Sequence, residues 1–365
     1  FATMGIASLF MPAVMGIIAD RWIPAQRLLG LCHLFAAGFI TLAATRTDYN
    51  SLYTLVLLSV MFYMPTIALS NSVAYNALEK AGLDTVTHFP PIRVWGTVGF
   101  ICAMWVVDLG KMGLSATQLY FSATLGLILG LYSFTLPNCP INRSGGGKSI
   151  VDLLGLRAFA LFKQRKMAIF FIFSMLLGMS LQITNAFADG YIKSFGDTGI
   201  HGAKYLGTFG VEHSTILISL SQISETLCIL LIPFFLKRFG IKRVMLIAMF
   251  AWVLRFALLG AGNPGPGVWM FILSMIVYGV AFDFFNISGS LFVEKETSAA
   301  IRSSAQGVFM IMTNGLGALI GSYLAGWVVN HYGWPLSWYL FAGFSLVVAI
   351  VFAVIFKYKH DPNRI

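Results

Sequence analysis

Charge is what this sequence has least of. Of its 365 residues, 24 are Lys or Arg and 14 are Asp or Glu, so 10% are charged. A soluble domain carries roughly 25% charged residues. The share here is too small to cover a 40.0 kDa protein in water. The accompanying 58% of hydrophobic residues excludes a disordered chain as well. Cysteine is also sparse. Cys32, Cys102, Cys139 and Cys228 have neither metal-ligand nor disulfide-framework spacing, and read as buried small hydrophobes. No cleavable signal peptide is visible. No nucleophile–base pair, metal-ligand cluster or cofactor loop can be traced, so an enzyme is not expected, nor any cofactor beyond a coupling ion. The stretch Ser144–Ser149 resembles a phosphate loop, but Asn142 stands where that motif needs Gly.

Apolar length is what the sequence has most of. With 32 Phe and 36 Gly, it has the composition of packed membrane helices. A crossing helix needs about 20 apolar residues. Eleven stretches qualify, near 1–19, 28–45, 51–73, 91–108, 118–136, 168–190, 214–236, 244–262, 268–292, 303–329 and 336–356. The fold class is therefore an all-α polytopic membrane protein. Of the 24 basic residues, 18 fall on one set of alternating connections, including the 137–167 segment and the C-terminal tail. Cytoplasmic loops are enriched in Lys and Arg, which places that segment and the C-terminus in the cytoplasm. The net charge of +10 then records orientation and does not imply a nucleic-acid partner.

The polar 137–167 segment divides the chain into 1–136 and 168–365. It reads as a flexible linker followed by an amphipathic stretch from Val151 to Phe162. A loop running Gly16-Ile-Ile-Ala-Asp20-Arg21-Trp-Ile-Pro24-Ala-Gln-Arg27 has a counterpart in Phe235–Arg243. The first resembles the signature loop of the major facilitator superfamily, with Pro24 and Arg27 placed late. In that superfamily the loop follows the second helix of each six-helix half. Here the later copy follows two spans and the first copy follows one. The symmetry predicts one further span before Phe1, twelve in all.

Ionisable groups inside spans cost at least a few kcal/mol and are functional candidates by default. Arg93, Glu225, Arg255 and Asp283 are such groups. Glu225 lies about 16 Å into its span, near the midplane. Gln222 shares its face, and Ser221 and Ser224 widen the polar stripe. Gln182 and Asn185 are a second i,i+3 pair, on the preceding span. Both pairs suit either a common polar cavity or interhelical bonding. Tyr278, Phe282 and Asn286 share one face, which suits a flat hydrogen-bonding solute or plain packing. Asp283 is rotated about 100° from Phe282. An ion pair with Arg255 is its structural alternative, although the two differ in depth by about 12 Å. Arg93 follows Pro90-Pro91, near the start of its span. It reads as a snorkelling anchor or, with Thr97 and Phe100 on its face, as a site residue.

Phe89-Pro-Pro-Ile-Arg93-Val-Trp95-Gly-Thr97-Val-Gly-Phe100, Leu181-Gln-Ile-Thr-Asn185, Ser221-Gln-Ile-Ser-Glu225-Thr, Phe282-Asp-Phe-Phe-Asn-Ile-Ser-Gly-Ser290, Val293–Glu296 and Ser304–Gly307 together resemble the bacterial nucleoside:proton symporter family. The resemblance covers essentially the whole chain. It implies a major-facilitator fold in the bacterial inner membrane, and uptake of purine and pyrimidine nucleosides by a monomer, driven by proton entry. It implies that Arg93, Thr97, Phe100, Gln182, Asn185, Gln222, Glu225, Tyr278 and Phe282 line the nucleoside cavity. The loop at Gly16, Asp20 and Arg21 would serve gating as the two halves rock. A carboxyl taken out of water favours its neutral form, so solute binding can change its protonation. Glu225 is the first choice for proton coupling and Asp283 the second. A carrier for another hydroxylated solute, such as a sugar, and a non-transporting sensor on the same scaffold are the alternatives.

Overall fold

Lipid offers no partner to a backbone N–H or C=O, so long apolar runs are committed to helix. A computed structural model describes residues 2–83, 85–113, 115–139, 156–197, 204–297 and 302–358. Among them no strand occurs. The helices are α1 (Ala2–Arg21), α2 (Ala25–Ala44), α3 (Tyr49–Lys80), α4 (Thr85–Leu109), α5 (Thr117–Ser133), α6 (Arg165–Ser194), α7 (Ser214–Ala261), α8 (Val268–Glu296), α9 (Arg302–Met310), α10 (Ala318–Tyr332) and α11 (Trp334–Ile355). A 3-10 helix, Leu156–Lys163, precedes α6, and a π-helix, Ile311–Gly317, joins α9 to α10.

Every expected span is helical, with differences at the joints. Among the described residues eight helices are long and apolar enough to cross a membrane, and α7 supplies two of them. The run expected at 303–329 as one helix is interrupted by the π-helix. The amphipathic stretch Val151–Phe162 is described only from Leu156, where it is a 3-10 helix; 151–155 and the Ser144–Ser149 loop lie outside the described residues. Gly16, Asp20 and Arg21 fall within the last turns of α1, and only 22–24 lie between α1 and α2. The counterpart at Phe235–Arg243 is tighter still. The helix reverses at Gly240 alone, with φ 77° and ψ 164°, a region essentially closed to side-chain-bearing residues. Cys102, expected to be buried, is exposed, while the other three cysteines are buried. An apolar side chain facing lipid gains nothing by hiding, since lipid is itself apolar.

The contacts divide the chain into two units, one of Ala2–Gly99 and Gly110–Arg157, the other chiefly of Phe100–Leu109 and Ala158–Ile365. In the first, α2 packs on α3 and α5. Glycines permit the second of these contacts: a Cβ on Gly30 would stand 2.9 Å from the Gly130 carbonyl oxygen. Ser59 donates across to the Ala36 carbonyl at 2.9 Å, and Gln26 holds the segment after α5 through Asn138 (2.6 Å) and the Cys139 N–H (2.9 Å). Asp48 caps α3 by accepting from Ser51 N–H at 2.8 Å. Hydrogen bonding from Ser51 keeps this carboxyl below the usual carboxylate range.

The other unit is built on α6, α7, α8, α10 and α11 around a Phe-rich core in which Phe170 meets Phe171, Phe285, Phe292 and Phe309. Small residues again set the closest approaches. Gly178 on α6 faces the Thr313 carbonyl of the π-helix so closely that a Cβ there would overlap it, and Gly317 and Gly321 approach the α6 backbone. The N-terminus of α7 has no side-chain cap of its own. Asp108, from the end of α4, does that work: it accepts from Thr215 N–H at 3.2 Å and pairs with His213 at 2.6 Å. A carboxylate at a helix N-terminus also meets the positive end of the dipole. Trp105, one turn back, donates to Ser219 at 2.8 Å.

Two outcomes follow. Gly178→Leu overpacks a backbone-to-backbone contact, and should cost more than the usual 1–3 kcal/mol of core overpacking. A thermal scan of the purified protein should show it melting well below wild type; an unchanged midpoint would contradict the contact. Asp108→Ala should lower stability by about 1–3 kcal/mol, the cost of an orphaned buried donor. Asp108→Asn, which keeps an acceptor for Thr215, should recover part of that in the same scan.

Candidate functional site

The polar residues of the second unit converge on Tyr278, ten residues into α8. Its ring is buried, with 4% exposure. Its side chain lies within electrostatic reach of Asn185 of α6 and of Glu225 of α7. Glu225 also interacts electrostatically with Asp283. One turn along α8, Phe282 stacks on Tyr278 with centroids 5.8 Å apart and planes at 20°. Trp252 meets the edge of the Tyr278 ring at 6.0 Å. Arg255 covers its face, with the guanidinium carbon 4.6 Å from the ring centroid. Beside this cluster a pocket is lined by Leu181, Trp252, Phe282, Phe285, Asn286 and Asn314 among others. Phe282 belongs to both, so the aromatic face is continuous from the cluster into the pocket.

Three elements produce this convergence. The α7–α8 pairing is close because Gly279 accepts the α7 backbone: a Cβ there would stand 2.6 Å from the Ser224 carbonyl oxygen. Ser221 donates to the Met275 sulfur at 3.1 Å, and Ser224 donates to the Ile276 carbonyl. Ser221 and Ser224 therefore bind α8 and do not widen the polar stripe of Gln222 and Glu225. The ion pair with Arg255, the structural alternative for Asp283, is absent too. Among the described residues no ion pair joins them, Asp283 is 3% exposed with Oδ2 lacking any hydrogen-bond partner, and the charged group that acts on it is Glu225. The cause is rotation and depth: Arg255 reaches Ser274 and Tyr278, nine and five residues before Asp283 on α8.

The remaining candidates are placed as follows. Gln182 is buried with its Nε2 unbonded, while Asn185, one turn on, is exposed. Gln222 is half-buried on α7. Phe100 is 54% exposed, and Thr97 is half-buried, both on α4. Arg93 does not stand at the start of its helix, because α4 begins at Thr85 and runs through Pro90 and Pro91; its side chain lies outside the described residues. The side chains of Asp20 and Arg21 lie outside them too, and Gly16 has open space around its Cβ position. Among the described residues no group of three or more potential metal ligands occurs.

The nucleoside H+ symporter family model matches residues 1–361. The chain belongs to this nucleoside:proton symporter family. It is 51% identical over 367 residues to nucleoside permease NupG of Escherichia coli, covering 99% of this chain and 87% of that protein. Xanthosine permease of the same organism is 50% identical over 372 residues, covering 100% and 88%. The crystal structure of the nucleoside transporter NupG matches with a TM-score of 0.89 at 51% identity, covering 98% of this chain and 89% of that one. A peptide transporter at 14% identity and a TM-score of 0.70, covering 96% and 83%, shares the fold alone. The fold is thus the major-facilitator fold, and the family's members here are permeases and not enzymes.

Within this symporter, the sequence marked Arg255 as an intramembrane ionisable group and as a structural alternative partner for Asp283, and gave no sign of its place on Tyr278. It did not reach Trp252, Thr313 or Asn314. The apolar neighbours of Trp252 on α7 mask it. The π-helix turns Thr313 and Asn314 off the register that a 3.6-residue period predicts. Gln182 supplies a direct test. A buried donor without a partner costs about 1–3 kcal/mol. Gln182→Leu should leave the solute-free protein as stable as wild type or more so, while weakening solute binding. A thermal scan with and without solute reads both, and loss of stability without solute would contradict an orphaned amide.

Proposed function

We propose that the protein takes up nucleosides across the bacterial inner membrane by alternating access, driven by proton entry. The observation that carries this reading is the cluster in which Glu225 and Asp283 interact beside the Tyr278–Phe282 face and Asn185. A flat base or sugar packs on such a face, and amides satisfy hydroxyls and base edges. A carboxyl pair in a low-dielectric site is where a proton can be held and released. Membership of the symporter family, and the nucleoside and xanthosine permeases at half identity, support nucleosides as the solute.

In this reading Arg93, Thr97, Phe100, Gln182, Asn185, Gln222, Glu225, Tyr278 and Phe282 contact the solute. Glu225 carries the coupling proton, with Asp283 second. Gly16, Asp20 and Arg21 serve gating. The parts that alternate are 1–136 and 168–365, joined by 137–167. The chain crosses the bilayer eleven times, with 137–167 and the C-terminus cytoplasmic, because the basic residues gather there. It works as a monomer in lipid with no cofactor beyond the proton, since one chain supplies the whole cluster. A polar site of this kind rejects analogues lacking a hydroxyl, whose absence leaves buried groups unpaired.

Labelled uridine and adenosine should accumulate in cells making the protein, and a protonophore should abolish accumulation. Excess nucleoside should compete and excess hexose should not; the reverse would replace nucleosides with sugars. Glu225→Gln should lose accumulation while keeping nucleoside exchange in proteoliposomes. Full proton-driven accumulation by that variant would move the coupling role elsewhere.

A further inference from the structure

Arg255 is the largest charged side chain buried in the described residues, at 1% exposure, and no carboxylate pairs with it. Guanidinium stays protonated in proteins, so a full positive charge is held at membrane depth. Such a charge is costly, and a helix-joining role alone does not require it, because Ser, Gln or Asn would supply the same bonds more cheaply. What the guanidinium does can be read from its contacts. Nη1 donates to the Ser274 carbonyl at 2.6 Å, Nε donates to Thr184 Oγ1 at 3.4 Å, and the Ser274 hydroxyl donates back to the Arg255 carbonyl at 3.2 Å. These bonds reach α8 and α6 and leave the guanidinium plane over the Tyr278 ring, 4.6 Å from its centroid. A cation gains more from the negative face of that ring than a neutral donor does. The ring so held lies beside Asn185 and stacks on Phe282.

We infer that Arg255 is a positioning residue for solute binding: its cation fixes the plane of Tyr278 from behind, and thereby presents the Tyr278 hydroxyl and the Tyr278–Phe282 face to the solute. Arg255 touches no solute. The inference deepens the proposed function and rests on it for the identity of the solute.

The test is a double-mutant cycle on the full chain purified in detergent. Uridine affinity is measured per folded protein for wild type, Arg255→Met, Tyr278→Phe and the double variant. Arg255→Met should weaken binding about tenfold, the scale of a desolvated cation–π contact. The effect of Tyr278→Phe should nearly vanish in the Arg255→Met background, because the hydroxyl is already misplaced there. Arg255→Lys, which keeps the cation without the planar fork, should restore part of the affinity. Independent multiplication of the two effects would overturn the inference, since residues that do not interact behave additively. So would a variant that lowers only the yield and leaves the affinity of the folded fraction unchanged. Where Arg255→Met fails to fold, Arg255→Lys takes its place in the cycle. A solute-free readout separates this inference from the nucleoside reading. In protein labelled with 3-fluorotyrosine, the 19F resonance lost in Tyr278→Phe should shift on Arg255→Lys. If wild type binds no nucleoside and that resonance still shifts, the nucleoside reading falls and the positioning role stands. An unmoved resonance overturns the positioning role whatever the solute.

Discussion

A bilayer interior offers no water to a polar atom, and every feature of this protein answers to that constraint. Backbone groups are satisfied inside helices, which is why long apolar segments have no other stable form. Side-chain polar groups must then find partners on neighbouring helices. Ser59, Ser221, Ser224 and Ser274 each donate to an acceptor on a facing element. Such bonds are worth only about a kcal/mol apiece in a membrane, so they tune packing without creating it. Among the described residues four buried groups are left over, Gln182 Nε2, Asp283 Oδ2, Ser288 Oγ and Trp338 Nε1, and the first two belong to the candidate site.

Close approach of backbones does the packing. Without a hydrophobic drive between helices in lipid, dispersion contacts at short range must hold the bundle. Gly178, Gly279 and Gly317 let α6, the π-helix, α7 and α8 come nearer than any Cβ would allow. That nearness is also what assembles the cluster. Ser224 can reach Ile276 only because Gly279 lies beside it, and the same α7–α8 contact brings Glu225 within electrostatic reach of Tyr278 and Asp283. Packing and site are therefore one arrangement. The π-helix extends it, since its wider turn directs Thr313 and Asn314 to the pocket that Phe282 lines.

Much of this was legible in the chain. The apolar runs placed every long helix, and Phe235–Arg243 marked a tight connection, which the structure narrows to Gly240. The i,i+4 spacing of Tyr278 and Phe282 put them on one face, and they stack there. The i,i+3 spacing of Gln182 and Asn185 was less informative, because one is buried and the other exposed on the same turn of α6. Pro90-Pro91 suggested a helix start that α4 does not respect. A proline pair removes donors and strains a helix without always ending it.

The sequence by itself determined an all-helical membrane protein with carboxyls inside its apolar spans. Those properties follow from local composition and period, which any segment carries alone. Only the tertiary structure decided what each buried group meets. Arg255 was a structural alternative as partner for Asp283, since opposite charges in lipid attract, although their depths matched poorly. The rotation of α7 against α8 instead sent Arg255 onto the face of Tyr278 and left Asp283 to Glu225. Likewise α7 takes its N-terminal cap from Asp108, more than a hundred residues away in the chain. Rotation and pairing of helices are set by which small residues admit a neighbour, a property of two surfaces at once that no single stretch of sequence contains.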